Sequence, residues 1–484
     1  MGLLHKKITV RTFFFSLFFI GFFSISFAET QEEPQSETSS RLEELKNFIS
    51  WPFIHIIQPV FSIAIYPIAE PLLYAFHTGV IEKGVDLITF GEKRNIQIYP
   101  TLNLKPGPST MLGAFYRHSG FITSNDYFVL SASAYSNSDI YFYLRYSQKR
   151  LFDDKTYLSV THSIDMNRDG NFVIPSSPVS FLSPDTTYRF DFNVAHPVPF
   201  FHSWNMQLST GVRFKQTGIP DVEDEWISEE YFKYLKEGGI YQDYRLYPTV
   251  LSISYDDTES PFVPTSGQHF TASLSYNFVS DYYDIPQEFE NKIDSKLNHN
   301  FYSLHLVFQK YFYFGEKEKN YQYTMKEARA KRKEYMDFSL DRTLQYFDPS
   351  KISSWILERR VLAMQLRYMK VFEVEEGGMP IRSYPKLNER FPLRGYSFGY
   401  AAKAIAGASF EYRWPIDYYI DGVAFLEYGV FSDEDGIFNF ENIRNSWGFG
   451  VRVRRPDMYF FRVQIGFHGL HGFHTIITIA PEFY

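Results

Sequence analysis

The sequence contains no cysteine, and beyond residue 28 it contains no uninterrupted apolar run long enough to cross a bilayer as a helix, which needs about 20 residues. The first absence excludes disulfides and thiolate metal sites, so stability has to come from packing or from a membrane. The second absence leaves strands as the only means of crossing a bilayer. A net charge of −8 with mixed signs and no long basic tract argues against nucleic acid as a partner.

The first 28 residues are typical of a secretory signal peptide. A basic start precedes an apolar run from Phe13 to Ile25, and small residues follow at Ser26 and Ala28. The run is short for a retained transmembrane anchor and is followed by a polar stretch. We therefore predict export, with cleavage of residues 1–28.

The next segment, residues 29–94, is predicted to be a periplasmic region with two parts. A polar linker comes first, and the apolar stretch from Trp51 to Phe76 follows, interrupted by four prolines. Because proline breaks a helix, a single straight transmembrane helix is not expected there. The stretch could lie along the inner membrane interface, fill the lumen of a barrel, or pack under a barrel rim.

Aromatic residues are abundant: 50 Phe, 37 Tyr and 6 Trp make up 19% of the chain. Tyr and Trp suit a lipid headgroup boundary, because each has an apolar body and a polar tip. From Tyr459 to Phe467 apolar residues alternate with mostly polar ones, and residues 447–454 and 270–277 follow the same pattern. A soluble β-sandwich would also alternate. Segments of about 10 residues with this aromatic content and an export signal favour an all-β fold, a transmembrane antiparallel β-barrel.

Sixteen such segments can be counted, an even number as bacterial barrels require. They begin near residues 95, 110, 126, 139, 155, 186, 204, 248, 267, 302, 357, 402, 420, 446, 458 and 474. With both termini periplasmic, the acidic segments 221–239 and 432–442 fall outside the cell, and the charged insertion 316–342 falls in the periplasm. The barrel is predicted to occupy residues 95–484, with its sixth extracellular loop at residues 372–401.

The sequence FPLRGY, residues 391–396, lies in this predicted sixth loop. Most loop arginines are solvated, but the apolar neighbours of Arg394 and the adjacent Gly395 favour a loop tip that folds into the lumen. An arginine in the lumen needs carboxylate partners. Strand alternation points Glu411 and Glu427 into the lumen, so we predict that Arg394 pairs with both.

Two motifs resemble the BamA/TamA-type outer-membrane assembly superfamily, also called the bacterial surface antigen family, which includes two-partner secretion transporters. The sixth-loop motif is matched by Leu393, Arg394, Gly395 and Tyr396, and the strand-thirteen motif F-x-D-x-G by Phe425, Glu427 and Gly429. Leucine and glutamate are conservative departures from the family pattern. The stretch from Tyr255 to Phe270 also looks like the family's periplasmic turn between strands eight and nine.

The resemblance implies a sixteen-stranded outer-membrane barrel whose first and last strands meet weakly, with Arg394 held against the strand-thirteen acid. It implies outer-membrane lipids as partners, and unfolded barrel proteins or secreted proteins as clients. The implied function is the insertion or passage of these clients at the outer membrane. The family's client-binding POTRA domains do not fit into the roughly 65 residues before the first strand, so we expect them to be missing.

Three other function classes stay open: a passive pore, a surface-exposed binding or adhesion barrel, and an enzyme. No G-x-S-x-G, H-E-x-x-H or Walker pattern is present, so we expect no enzyme and no cofactor. His468, His471 and His474 near the last hairpin suggest a metal, but no carboxylate lies in register with them. They are predicted to be loop histidines, and no metal is expected.

Overall fold

The structure, a computed structural model, describes residues 48, 50–77, 89–91, 95–104, 111–135, 140–151, 155–167, 171–173, 180–182, 185–199, 201, 203–217, 243–258, 264–283, 299–314, 360–375, 379–380, 383–387, 393–396, 400–416, 420–432, 443–455, 458–469 and 472–479. The predictions for residues 1–28, 221–239 and 316–342 fall outside these residues, as do residues 29–47 and 433–442.

The chain divides into two compact units, Met1–Phe53 and Ile54–Tyr484. The described residues of the first unit, 48 and 50–53, are helical. The second unit contains one α-helix and all of the described strands.

A π-helical turn, Phe53–Ile57, leads into helix α1, Gln58–His77. The strands in the described part of the chain are β1 Thr89–Phe90, β2 Ile96–Leu104, β3 Met111–Ser119, β4 Asp126–Tyr135, β5 Ile140–Leu151, β6 Thr156–Asn167, β7 Asn171–Val173, β8 Ser180–Leu182, β9 Asp185–Pro197, β10 Trp204–Thr217, β11 Asp243–Asp256, β12 Gly267–Tyr283, β13 Phe301–Phe314, β14 Arg360–Glu373, β15 Lys386–Leu387, β16 Tyr400–Ala401, β17 Ala404–Pro415, β18 Ile420–Ser432, β19 Arg444–Arg455, β20 Met458–Phe467 and β21 Phe473–Ile479.

The predicted all-β barrel architecture is confirmed, since seventeen of the described strands form one sheet. Sixteen of them have seven residues or more, and each pairs antiparallel with the next long strand along the chain. The first long strand, β2, also pairs with the last, β21, over three residue pairs within the described residues. The two ends of the sheet therefore meet at a seam.

The long strands begin within five residues of the sixteen predicted starts, but the count of sixteen omits five short strands. The two-residue β1 pairs with β2 and is the seventeenth member of the main sheet. The strands β7, β8, β15 and β16 form a separate small sheet from loop segments. Strands of two or three residues are too short to show alternation, so the sequence pattern did not reveal them.

The two faces of the sheet follow the alternation of the sequence. On β12 the exposed Leu274 and Tyr276 alternate with the buried Ser275 and Asn277. The Ser275 hydroxyl lies 2.5 Å from that of Ser303 on the neighbouring strand. Polar side chains thus hydrogen-bond to one another inside the barrel, and apolar side chains cover its outer wall.

The turn between β11 and β12 joins the eighth and ninth long strands. The Asp256 carboxylate accepts hydrogen bonds from the backbone amide (3.0 Å) and the hydroxyl (2.7 Å) of Thr258. Gly267 begins β12 with φ +93°, a backbone conformation that favours glycine. This is the stretch that resembles the family's periplasmic turn, and its position agrees with the strand count.

Helix α1 packs against β18 and β19. The ring centroids of Phe61 and Phe449 are 5.2 Å apart, and Phe449 lies on the strand face that points away from the lumen. Helix α1 therefore lies on the outer wall and not in the lumen. In the described residues, no helix has the length and apolar character needed to cross a membrane.

Candidate functional site

The tip of the sixth loop, Leu393 to Tyr396, is a tight turn inside the barrel. The Tyr396 amide donates to the Leu393 carbonyl oxygen at 2.9 Å. The Leu393 side chain is fully buried in a cluster with Ala402, Ile405 and Phe431. This apolar anchor holds the turn at a fixed depth, because withdrawing it would expose the buried leucine.

Arg394 extends from this turn to a glutamate on β18. Its Nε donates to Glu427 Oε1 at 2.6 Å, and its backbone amide donates to Glu427 Oε2 at 2.8 Å. The Glu427 side chain is 0% exposed and that of Arg394 is 7% exposed. Both carboxylate oxygens are therefore used by one loop residue, in a place from which water is excluded.

A second glutamate, on β17, lies on the other side of the guanidinium. Arg394 Nη1 donates to Glu411 Oε2 at 2.9 Å, and to Gln464 Oε1 at 3.3 Å. The guanidinium carbon lies 3.5 Å from the centre of the Phe425 ring, a cation–π arrangement. We call Arg394 with Glu411 and Glu427 the loop lock.

Two further arginines contact the loop lock. Glu411 also accepts from Arg413 Nε at 2.6 Å and from Arg452 Nη2 at 2.6 Å. Three arginines and two glutamates thus form one buried, charge-assisted network with a formal charge of +1. Such a network is stable only when all of its members are paired, since an unpartnered buried charge costs several kcal/mol.

Glycines allow the loop to lie directly on β20. A Cβ atom at Gly395 would come within 2.3 Å of the Phe467 carbonyl oxygen, and one at Gly466 within 2.5 Å of the Arg394 carbonyl oxygen. These distances are far below van der Waals contact, so both positions require glycine for this approach.

Neutral contacts on β19 and β20 complete the site. The Gly395 amide donates to Ser446 Oγ at 2.7 Å, and His468 Nδ1 donates to the Gly395 carbonyl oxygen at 2.9 Å. The half-buried Tyr396 ring lies with its centre 5.3 Å from that of His468. The loop tip therefore contacts four consecutive wall strands, β17 to β20.

The structure brings together most of the residues singled out in the sequence. Leu393, Arg394, Gly395, Glu411, Phe425 and Glu427 meet at the loop tip, and Tyr396 lies beside it. Gly429 lies two residues beyond Glu427 and pairs with Gly407 and Arg444 in the strand ladders. The sequence reasoning missed Ser446, Arg452, Gln464 and Gly466 as members of the site. Alternation places them on the lumen face, but no local signal links them to the loop.

Comparison with solved structures identifies the fold. BamA from Haemophilus ducreyi lacking POTRA domains 1–3 aligns with 80% of this chain and 70% of its own, with a TM-score of 0.50 and 11% sequence identity. The chain has the fold of a BamA-type barrel. The resemblance drawn from the sequence motifs is thus confirmed for the fold.

Two CdiB structures also match. CdiB from Acinetobacter baumannii aligns at a TM-score of 0.46 and 9% identity over 79% of this chain and 59% of that one. CdiB from Escherichia coli aligns at 0.45 and 11% identity over 80% and 62%. No protein-family model and no curated protein matches the sequence.

In this BamA-type barrel the loop tip lies one strand away from the seam. β20 contacts the tip and pairs with β21 over seven residue pairs, whereas β21 pairs with β2 over three, Leu102 to Leu104 with Ile477 to Ile479. At the other end of the same edge, β2 pairs with β1 through Ile96 and Gln97.

The histidines near the last hairpin do not gather into a metal site in the described residues. The ring centres of His468 and His474 are 5.8 Å apart and stacked, and His468 contacts the Gly395 carbonyl. His471 lies outside the described residues. No group of three or more metal-ligating side chains occurs in the part of the chain that the structure describes.

Proposed function

We propose that this chain is an outer-membrane barrel that assists the insertion or passage of proteins at the outer membrane. The observation that carries the proposal is the loop lock, a buried network that fixes the sixth loop inside the lumen within one strand of the seam between β2 and β21. The BamA-type fold and the signal-like N-terminus support an outer-membrane location.

The seam is where a client would engage. Within the described residues, three residue pairs join β2 to β21 and twelve join β17 to β18. Once β21 separates from β2, the edge of β2 offers backbone donors and acceptors on which an incoming strand can pair by β-augmentation. No bond chemistry, cofactor or nucleic acid takes part in this function.

The loop lock has a positioning role in this proposal. Glu427, Glu411 and the backbone contacts of Gly395 keep the loop against the wall, so the lumen side of β20 is supported while β21 separates from β2. Lipids surround the barrel, and unfolded barrel proteins or secreted proteins are the clients that we propose.

The test is a client-insertion assay in liposomes. Purified protein is expected to accelerate the insertion of an unfolded barrel client, and Arg394→Ala and Glu427→Ala are expected to reduce that acceleration. Lys403→Ala is the matched control, since it breaks a partly exposed ion pair with Glu373 (3.0 Å) at the extracellular end of the same wall. Wild-type protein that gives no acceleration contradicts the proposal, as does equal loss in the control.

A passive pore is the second candidate, and a cavity in the lumen favours it. The cavity has a volume of about 490 Å³ and is lined by Arg213, Lys215, Ser275, Asn277 and the sixth-loop residue Lys386. Polar and cationic walls suit the passage of small hydrated solutes. Planar-bilayer conductance that is the same in wild type and Arg394→Ala would favour a plain pore over a loop-controlled barrel. The surface-binding alternative depends on acidic segments outside the described residues and stays a prediction.

A further inference from the structure

Helix α1 covers a polar patch on the outer wall of the barrel. Alternation from Glu411 points Tyr412 outward, and register pairs Tyr412 with Leu362, so Arg360, two residues before Leu362, also points outward. Gln58 Oε1 accepts hydrogen bonds from Arg360 Nε at 2.9 Å and from the Tyr412 hydroxyl at 3.2 Å. An arginine on the lipid side of a barrel wall is costly, and the helix here supplies both a cover and a hydrogen-bond acceptor.

Helix α1 has polar residues on its buried face and apolar residues on its exposed face, which is the reverse of a helix in a soluble protein. Gln58, Ser62, Ile65 and Ala69 are 4% exposed or less and form one stripe, with spacings of four, three and four residues. The opposite stripe is apolar and exposed: Ile56 in the preceding turn, then Val60, Ile63, Pro67 and Pro71. Val60 and Ile63 are each 57% exposed. The stripe against the protein is thus half polar, and the stripe away from it has no charge.

The exposed stripe continues an apolar surface that the strands already present. Leu426 on β18, a strand that α1 packs against, lies on the same outer face and is exposed. Among the 20 residues of α1, Glu70 is the one Asp, Glu, Lys or Arg. The occupant that fits such a surface on the outside of a membrane barrel is lipid acyl chain.

The two prolines of α1 favour a shallow position of the helix in the membrane. Pro67 and Pro71 lack the backbone N–H, so the carbonyls of Ile63 and Pro67 lose their helical partners. Free carbonyls are costly in hydrocarbon but are satisfied by water at the headgroup boundary. The strand ends that the helix covers, the start of β14 and the end of β17, are periplasmic by strand parity.

We propose that α1 is a lipid-contacting brace on the outer wall. Its buried stripe contacts the periplasmic ends of four strands, β14, β17, β18 and β19, and holds them together. Its exposed stripe contacts acyl chains of the periplasmic leaflet near the headgroup boundary. The proposal depends on the barrel lying in a membrane and is independent of what the barrel inserts or transports.

The absence of native cysteine makes a direct test possible. Single-cysteine variants of the full chain, Val60→Cys and Ile63→Cys, are labelled with an environment-sensitive fluorophore in phosphatidylcholine vesicles. Quenching is measured with lipids that carry a doxyl group at a shallow or a deep acyl position, and with aqueous iodide. Leu426→Cys is the lipid-exposed control and Glu375→Cys, an exposed loop position, is the water-exposed control.

Both helix labels are expected to be shielded from iodide like the Leu426 control, and to be quenched several-fold more by shallow doxyl lipid than by iodide. Labels that follow the Glu375 control would overturn the lipid contact. Labels quenched more by the deep doxyl group than by the shallow one would overturn the proposed depth.

The brace itself is tested with Gln58→Leu, which keeps the size of the side chain but removes the acceptor for Arg360 and Tyr412. Hydrogen exchange of the α1 amides is expected to become about tenfold faster or more, the effect of losing a hydrogen bond to a charged group. Ile63→Leu, on the exposed stripe, is the control and is expected to leave exchange unchanged. Unchanged exchange in Gln58→Leu would overturn the bracing role.

Discussion

Removal of the lock arginine should release the sixth loop from the lumen while leaving the barrel folded. Arg394→Ala deletes the Nε bond to Glu427 and the Nη1 bonds to Glu411 and Gln464. Glu411 keeps Arg413 and Arg452, but the fully buried Glu427 keeps only the backbone amide of residue 394. Breaking one partner of a buried ion pair costs about 3–5 kcal/mol.

This free energy predicts a large change in the population of the released loop. At about 1.4 kcal/mol per factor of ten, the released fraction rises by about a hundredfold to a few thousandfold. Backbone amides exchange hydrogen through such openings, so exchange of the peptide that covers residues 393–396 should accelerate by the same factor. Mass spectrometry of the protein in detergent or lipid measures this directly, without a probe in the loop.

Two variants make the result decisive. Lys403→Ala also removes one cation from the loop end of this wall, but Lys403 is 31% exposed and its partner Glu373 keeps the hydrogen bond from the Tyr384 hydroxyl, so a smaller effect is expected. Arg394→Lys keeps the charge but not the fork of donors, and should lie between wild type and alanine. Gel mobility with and without heating shows whether the barrel is folded. A folded Arg394→Ala barrel with wild-type exchange in the loop would refute the reasoning.

Three further predictions concern the same region. Gly395→Ala should expel the loop tip from β20, because the new methyl group would lie about 2.3 Å from the Phe467 carbonyl oxygen, and loop exchange should accelerate at least as much as in the arginine variant. Glu427→Gln keeps the shape of the side chain and should accelerate loop exchange less than the loss of the arginine does, with an equal or larger effect contradicting the charge argument. Cysteines at Asn103 and Thr478, which face each other across the seam, should form a disulfide under oxidation and abolish client insertion, with activity returning on reduction.

The long strands could be predicted from sequence because each carries its own signal. A spanning strand alternates apolar and polar residues over about ten positions, and the lipid outside and polar lumen inside make that alternation obligatory. The largest error in a strand start is at β11, which begins at residue 243 and not near 248. Its first residues, Tyr244 and Leu246, are buried against Met379 of the sixth loop. Because these residues contact a loop inside the barrel, apolar side chains stand where alternation would place polar ones, and the strand start is missed.

The lock pair could be predicted for a different reason. An arginine with apolar neighbours is stable in few places. Glu411 and Glu427, which alternation places on the lumen face of nearby strands, offered it partners. Arg452 and Gln464 were not predicted, because each is more than 40 residues along the chain from the residue that it contacts. Only the arrangement of the strands brings them together. Likewise, nothing near Gln58 indicates that its amide oxygen meets Arg360 and Tyr412, about 300 and 350 residues away.

The attachment of the loop tip is graded from one strand to the next. Ion pairs of 2.6–2.9 Å join it to β18 and β17, and a neutral hydroxyl contact joins it to β19. At β20 it has a longer bond of 3.3 Å from Arg394 to the neutral Gln464, an imidazole contact and a bare glycine surface. Charged hydrogen bonds are about twice as strong as neutral ones. If β20 and β21 swing outward together, the tip therefore stays bound to β17 and β18, and β20 separates from it. The barrel thus has a fixed part, formed by β17 and β18 with their loop, and a part that can move, formed by β20 and β21. The surface between the two parts is made of glycine.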